Sequence, residues 1–502
     1  MSRNFICELL LSLTPSQYRI LNIRFDGGRN LYNACLGEAL KRLAAAKRSS
    51  DWKKAAGLPR CKERTGLFRN ALKEHHFSEY ELHFYVKKLV KECWIGDHID
   101  SQVAQKIATR AFQAVDEYAK AKRGNPRFKG IGQFSSIEGK SNITGIRFKN
   151  GKIHWNGLVL TPIYDTKDIH GVQAHALSQR TKYVRLVRRT VRGKFCFYAQ
   201  LVQEGEPLIK KKNSLGKGKS VGLDIGPSTI AVVSEENAVL QELTDCEENH
   251  KKTKKLQKAL DRSRRTTNPD NYNEKGMPLK NKQWKRSGRY RKKQAQLAEE
   301  KRVTAASRKT QHGTLANQIF SMGTTIKTEK LSYKQFQKNF GRSIARHAPG
   351  MLIEILRRKA ENAGGQIIEF SPYQTKLSQT CHACGNTKKK SLKERWHVCP
   401  CGLESVQRDL YSAFLALNVE QGVLNRSQAQ KAWTSAGPLL QQALLRCKET
   451  AKGKRKLASF GFSPSQSCSP DEDESTVSED KETMRANVYS FEELDRLVIR
   501  TP

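Results

Sequence analysis

The chain has 502 residues, of which 37% are hydrophobic and 28% charged, and its formal net charge is +42. At roughly 100–200 residues per domain it has room for two to four domains. An excess of that size repels itself unless a polyanion neutralises it, which points to nucleic acid. No run of about 18 apolar residues is present to span a bilayer, so no membrane partner is expected. The opening MSRNFICELLLSL lacks a small-residue cleavage site, so no signal peptide is expected. Of the 12 cysteines, four cluster at 381–401 and the rest are scattered, which reads as reduced thiols plus one metal site. A cytoplasmic, nucleoid-associated protein is the expectation.

Residues 3–10 read as a short apolar strand. Thr14 or Ser16 can cap a helix near Pro15. Leu21, Ile23, Phe25, Leu31, Ala34, Leu36 and Leu40 carry helical spacing around a break expected at Gly27–Gly28. Residues 63–123 are again helical in pattern. There Val103, Ile107, Ala111, Val115 and Tyr118 form one stripe, ended by Gly124-Asn125-Pro126. From about residue 140 the period shortens to that of strands, with Asn150-Gly151 and Arg192-Gly193 as tight turns. The pattern predicts a β-rich module over 1–10 and 124–210, with a helical region, 11–123, inserted into it.

A Gly/Lys/Ser linker at 211–220 precedes an α/β pattern over 221–376 and 404–422. Within it, residues 251–310 hold 21 Lys/Arg against 5 Asp/Glu. That lopsided sign favours phosphate contact over a merely solvated face. A cysteine-bearing segment, 377–403, and a C-terminal extension, 423–502, complete the chain. Residues 466–502 carry a net −6 and are rich in Ser, Asp and Glu, so disorder is expected there.

Cys381-His-Ala-Cys384-Gly and Cys399-Pro-Cys401-Gly form two knuckles separated by 14 residues. Four thiolates on tight turns satisfy tetrahedral zinc and leave no open position for a reacting water, so the expected zinc is structural. The second pair is C-x-C rather than C-x-x-C, and His382 or His397 remains an alternative fourth ligand. Three carboxylates stand at the ends of apolar elements: Asp224 in SVGLDIG, Glu329 in IKTEKLS and Asp409 in QRDLYSAFLAL. A carboxylate flanked by Val221, Leu223 and Ile225 is costly unless paired or bound to a metal. Each acid alone also reads as a turn residue, a surface charge or a helix N-terminal acid.

Taken in order, VGLDIG, IKTEKLS, TKLSQTCHACG (375–385) and QRDLYSAFLAL resemble the TnpB family of transposon-encoded RNA-guided nucleases, relatives of compact type V CRISPR effectors. LYNACLGEAL, SQVAQKIATRAF and NPRFKG (125–130) extend the resemblance over roughly residues 5–420. It implies a multidomain α+β chain. A β-barrel wedge domain with an inserted helical recognition domain would precede an RNase H-like (RuvC) α/β nuclease domain carrying a zinc ribbon for target nucleic acid. It further implies that Asp224, Glu329 and Asp409 hold two Mg2+ ions for phosphodiester hydrolysis. One structural Zn2+ would sit on Cys381, Cys384, Cys399 and Cys401. The implied partners are a transposon-end guide RNA and double-stranded target DNA read beside a short adjacent motif, with a monomer favoured. Arg289, Tyr290, Arg291, Lys292 and Lys293 are expected to contact phosphate or stack on a base, and Arg408 to steady the scissile phosphate. An RNA-guided repressor without cleavage, or an unguided resolvase or transposase, are the alternative readings.

Overall fold

The computed structural model describes residues 4–210, 213–244, 247–391, 394–450 and 460–462, so the acidic stretch 466–502 lies outside the described residues. The chain divides into two compact units, residues 1–212 and 213–502.

The first unit begins with β1 (Asn4–Ser12) and α1 (Pro15–Arg48). Thr14 accepts from the Gln17 backbone N–H, and the Gln17 side chain accepts from Thr14, with Pro15 in the first turn. This reciprocal cap fixes where the helix starts. The helix then runs straight through Gly27 and Gly28, which corrects the expected break. Gly28 is required by proximity instead: a Cβ there would stand 2.8 Å from the Phe134 ring.

Helices α2 (Ser50–Gly57), α3 (Lys62–Glu74), α4 (Glu79–Lys91) and α5 (Ser101–Ala119) follow. Asp100 caps α5 by accepting from the Gln102 and Val103 amides. Val103, Ile107, Ala111 and Val115 of its apolar stripe are buried. The helix ends at Ala119, before the Gly-Asn-Pro stop read from the sequence.

The chain then forms β2 (Ser136–Glu138), β3 (Arg147–Lys149), β4 (Lys152–Trp155), β5 (Leu158–Ile163), α6 (Val172–Ser178), β6 (Thr181–Val191) and β7 (Lys194–Glu204). The seven strands make one antiparallel sheet in the order β2-β6-β7-β1-β5-β4-β3. β1 therefore sits mid-sheet, and α1–α5 are inserted between it and β2. Asn150-Gly151 and Arg192-Gly193 both have two positive φ angles, the geometry of the tight hairpin turn. Asn156-Gly157 makes a third such turn. β3 returns beside β6, yet no ladder joins β2 to β3 among the described residues. The sheet curls without hydrogen-bonded closure into a barrel. One core joins sheet and helices, including Leu9, Phe25, Leu36, Ile107, Phe134, Trp155 and Phe197.

The second unit opens with the meander β8 (Ser220–Ile225), β9 (Thr229–Val233) and β10 (Ala238–Glu242). A helical hairpin follows, α7 (Glu247–Thr267) and α8 (Gly288–Met322). Next come β11 (Thr325–Glu329), α9 (Tyr333–His347), α10 (Pro349–Ala363), β12 (Gln366–Phe370) and α11 (Pro372–Thr375). The chain continues through β13 (Trp396–His397), β14 (Val406–Gln407), α12 (Arg408–Leu417), β15 (Val419–Glu420), β16 (Val423–Leu424) and α13 (Arg426–Thr450).

The five-stranded sheet has the order β10-β9-β8-β11-β12, with β11 parallel to both β8 and β12. Its near-continuous apolar strands are explained by cover on both faces. Val221, Leu223, Ile225 and Ile326 pack on one side with Leu315, Ile319, Leu352 and Leu356 of α8 and α10. Ala231, Val233 and Leu240 pack on the other with Leu410, Phe414 and Leu440 of α12 and α13.

Candidate active site and metal centre

The four cysteines come together. Their sulfurs all lie within 4.8 Å of one another, the only such group of His, Cys, Asp or Glu among the described residues. Cys381 Sγ is 3.8 Å from Cys401 Sγ, and Cys384 Sγ is 3.4 Å from Cys399 Sγ. Four sulfurs at about 2.3 Å from one tetrahedral ion stand about 3.8 Å apart, so the cage fits zinc.

The turns that close it are local. Gly385 (φ 77°) and Gly402 (φ 88°) follow the two knuckles in the left-handed region. The Gly385 amide donates to the Cys381 carbonyl, and the Asn386 amide points at Cys384 Sγ. That amide holds the Cys384 thiol down to about 7, which favours the thiolate a metal needs.

Neither histidine belongs to the cage, which corrects the alternative of a His ligand. His382 is buried, its Nδ1 2.8 Å from the Tyr411 hydroxyl, and its ring lies tilted against that of Trp433. His397 lies against the Tyr411 ring with Nδ1 on Lys390. From outside, α13 grips the first knuckle: Arg426 and Gln430 donate to the carbonyls of His382 and Ala383. Donors and packing around a metal's ligands fix their orientation.

The three carboxylates are assembled by the sheet. Asp224 lies near the end of β8 and Glu329 ends β11. The parallel register pairs Lys327 with Gly222 and Thr328 with Leu223, so Glu329 falls beside Asp224 on the same sheet face. That face meets α12. A Cβ on Gly222 would stand 2.1 Å from the Ala413 carbonyl oxygen, so only glycine lets the helix backbone lie so close to the strand. Lys327 Nζ donates to the Leu417 carbonyl at the helix C-terminus, where a cation is favoured. Gln407 caps the other end by accepting from the Leu410 amide, and Asp409 stands in that first turn. Asp224 and Glu329 thus occupy the carboxyl ends of adjacent parallel strands, where α/β sheets place their ligand sites.

Burial pushes the Asp224 carboxyl well up, and repulsion from Asp409 and then Glu329 adds to it. Burial likewise raises Asp409 and lifts Glu329 to about 7, against a hydrogen bond from Thr375. Three carboxylates so placed resist full ionisation without a cation. An all-oxygen donor set of this kind fits hard divalent cations.

Two arginines balance these charges. Arg408 Nε is 3.7 Å from Asp409 Oδ1, and Nη1 donates to the carbonyls of Ser391 and Glu394. Arg395, unmarked in the sequence reading, is half-buried and acts electrostatically on both Asp409 and Asp224. Its backbone carbonyl accepts from the Arg408 amide. Tyr333, also missed, starts α9 just beyond Glu329 and is raised by burial and by Asp224. Its place after a strand ending in an acid was the one available signal. Arg395 had none, because its approach depends on the cysteine loop folding back.

The basic cluster sits apart from the acids in sequence and lies on the first turns of α8. Arg289, Arg291 and Lys292 are exposed, Tyr290 and Lys293 half-buried, and Lys293 donates to Gln296. Among the described residues no helix is long and apolar enough to cross a membrane.

No curated protein matches the chain. Among solved structures, a chain in a cryo-EM structure of a Cas12f1–sgRNA–target DNA complex aligns with a TM-score of 0.42 and 13% identity, over 83% of this chain and 98% of that one. A chain in a CRISPR-Cas12f ternary complex aligns with a TM-score of 0.28 and 14% identity, over 82% and 86%. Residues 350–415 match the family described as Cas12f1-like, TNB domain, a stretch that contains all four cysteines of the cage and Asp409.

Proposed function

We propose that this chain is an RNA-guided DNA endonuclease of the TnpB and compact type V kind. In this reading residues 221–376 and 404–422 form an RNase H-like (RuvC) nuclease domain, and 377–403 a zinc ribbon that binds target nucleic acid. Residues 1–10 and 124–210 form a wedge domain around the helical recognition domain 11–123. The observation that carries the reading is the convergence of Asp224, Glu329 and Asp409 on one sheet face, each held above its ordinary carboxyl range. Support also comes from the family match across the cysteines and Asp409, and from the charge of +42.

The three carboxylates would hold two Mg2+ ions, which would supply an activated water and stabilise the leaving 3′ oxygen, giving 5′-phosphate and 3′-hydroxyl ends. The protein's own groups do the positioning. Gly222 lets α12 approach, so that Asp409 reaches the strand acids. Arg395 and Arg408 offset carboxylate charge, and Arg408 would steady the scissile phosphate beside the acids. The zinc cage, closed by four thiolates, keeps the loop bearing Arg395 in place. Guide RNA and target DNA neutralise the basic excess, and the heteroduplex is read through its backbone shape. A monomer is favoured, in the cytoplasm near the nucleoid.

The test is purification from cells that carry the natural flanking DNA, then sequencing of the bound RNA and a Mg2+-dependent cleavage assay on a matching target. One specific RNA and matched cleavage are expected. Absence of a specific RNA would overturn guidance.

A further inference from the structure

α4 carries an unpartnered surface whose chemistry is not that of a solvated helix. Its buried side is Leu82 and Val86. On the opposite side stand Tyr80, Phe84, Lys87, Lys88 and Lys91, all exposed. At 100° per residue these five positions fall within an arc of about 100°, along roughly 16 Å of helix. Tyr80 is 76% and Phe84 68% exposed, far more than their burial preference favours. The two rings are neighbours one turn apart on the same face, and Tyr80 meets the His83 ring edge-on at 6.1 Å while staying exposed. The acids of the first turn are engaged elsewhere: Glu79 accepts from Thr109 and Glu81 pairs with His76. The three lysines have no ion-pair partner among the described residues.

We propose that this face of α4 binds unpaired nucleotides, with Tyr80 and Phe84 stacking on bases and Lys87, Lys88 and Lys91 following the phosphates. Aromatic rings interleaved with cations are what single strands require, because every base offers a π-face and every linkage a charge. Basic helices with aromatic residues also bind anionic lipid, but an excess of +42 is what a nucleic acid neutralises. Binding of anionic vesicles without binding of the oligonucleotides would overturn the proposal. A second copy of this chain is disfavoured by symmetry. A two-fold contact on this face would bring two lysine tracks together. The inference rests on the proposed function only in that the partner is a nucleic acid. It adds a binding site for single strand distinct from the carboxylate cluster.

The test uses the full chain without added Mg2+, and an unstructured 20-nucleotide oligouridylate and oligothymidylate as probes, followed by anisotropy across a salt series. Tyr80→Ala with Phe84→Ala should weaken binding roughly five-fold or more per ring at an unchanged salt slope. Lys87→Gln, Lys88→Gln and Lys91→Gln together should lower the slope of log K against log salt by about 2. Tyr80→Trp with Phe84→Trp should retain binding. Since all five side chains point to solvent, the variants keep the core intact, and circular dichroism checks this. Binding of both probes within two-fold of the parent for both sets would overturn the proposal. So would unchanged binding with an altered sedimentation coefficient, which would assign the face to a second copy. Neither result touches guided cleavage, which is read separately with a matched target.

Discussion

The second unit gathers two anionic clusters, and it builds them in opposite ways. The four sulfurs converge through two knuckles only 14 residues apart, and they already stand at the spacing a tetrahedral ion imposes. The three carboxylates come from β8, β11 and α12, and are spread over 186 positions of sequence from Asp224 to Asp409. Burial raises all three, and the charges of Asp409 and Glu329 raise Asp224 further. The thiol cluster is organised by turns, and the carboxylate cluster by a sheet that brings strained charges together. The first suits one tightly held cation on four thiolates. The second suits hard cations on oxygen ligands.

The comparison breaks most visibly at Asp224. Asp224→Ala should lower cleavage by more than about 1,000-fold, while guide and target binding change less than three-fold. A parallel loss of binding would show that the acid is structural. Cys381→Ser with Cys384→Ser should remove the zinc, measured as metal content by mass spectrometry. It should also lower the melting temperature, because a structural zinc contributes its binding energy to folding. Gly222→Ala forces a methyl into the Ala413 carbonyl. It should destabilise by about 3 kcal/mol in denaturant unfolding, and slow cleavage with it, since Asp409 moves with the helix.

The pH dependence sharpens the contrast further. Glu329 is lifted from an ordinary 4.5 to about 7, so the metal-free fold holds a proton that the unfolded chain has lost. Glu329's own contribution to metal-free stability, read as the difference from Glu329→Gln, should therefore fall as pH rises from about 4.5 to 7. Mg2+ must displace that proton, so its apparent affinity should rise by at least about ten-fold per unit up to pH 7. Calorimetric Mg2+ titration from pH 5.5 to 8.5 reads this. The smallest effect is expected at Lys327→Met, which removes one charged hydrogen bond to the end of α12. It should cost about 1.5 kcal/mol in urea unfolding.

The sequence made local features legible and left contacts across the fold hidden. Asn150-Gly151 and Arg192-Gly193 announced hairpins because a two-residue turn needs positive φ at both positions. The knuckles were legible for the same reason: a cysteine pair before glycine is a turn with two donors. The Gly27–Gly28 pair misled, since glycine marks both breaks and close approaches, and only Phe134, a hundred residues away, decides between them. The His382 alternative fell to Tyr411, whose hydroxyl takes the ring nitrogen. Arg395 and the grip of Arg426 on the first knuckle could not be read at all. Each depends on where a distant element comes to rest.

The most direct test of the central claim is cleavage of a plasmid that carries a target complementary to the RNA co-purified with the protein, with Mg2+ present. Cutting at that target is expected, with none in chelator and none by the Asp224→Ala protein bound to the same RNA. Equal cutting by Asp224→Ala, or cutting indifferent to the RNA sequence, would contradict it.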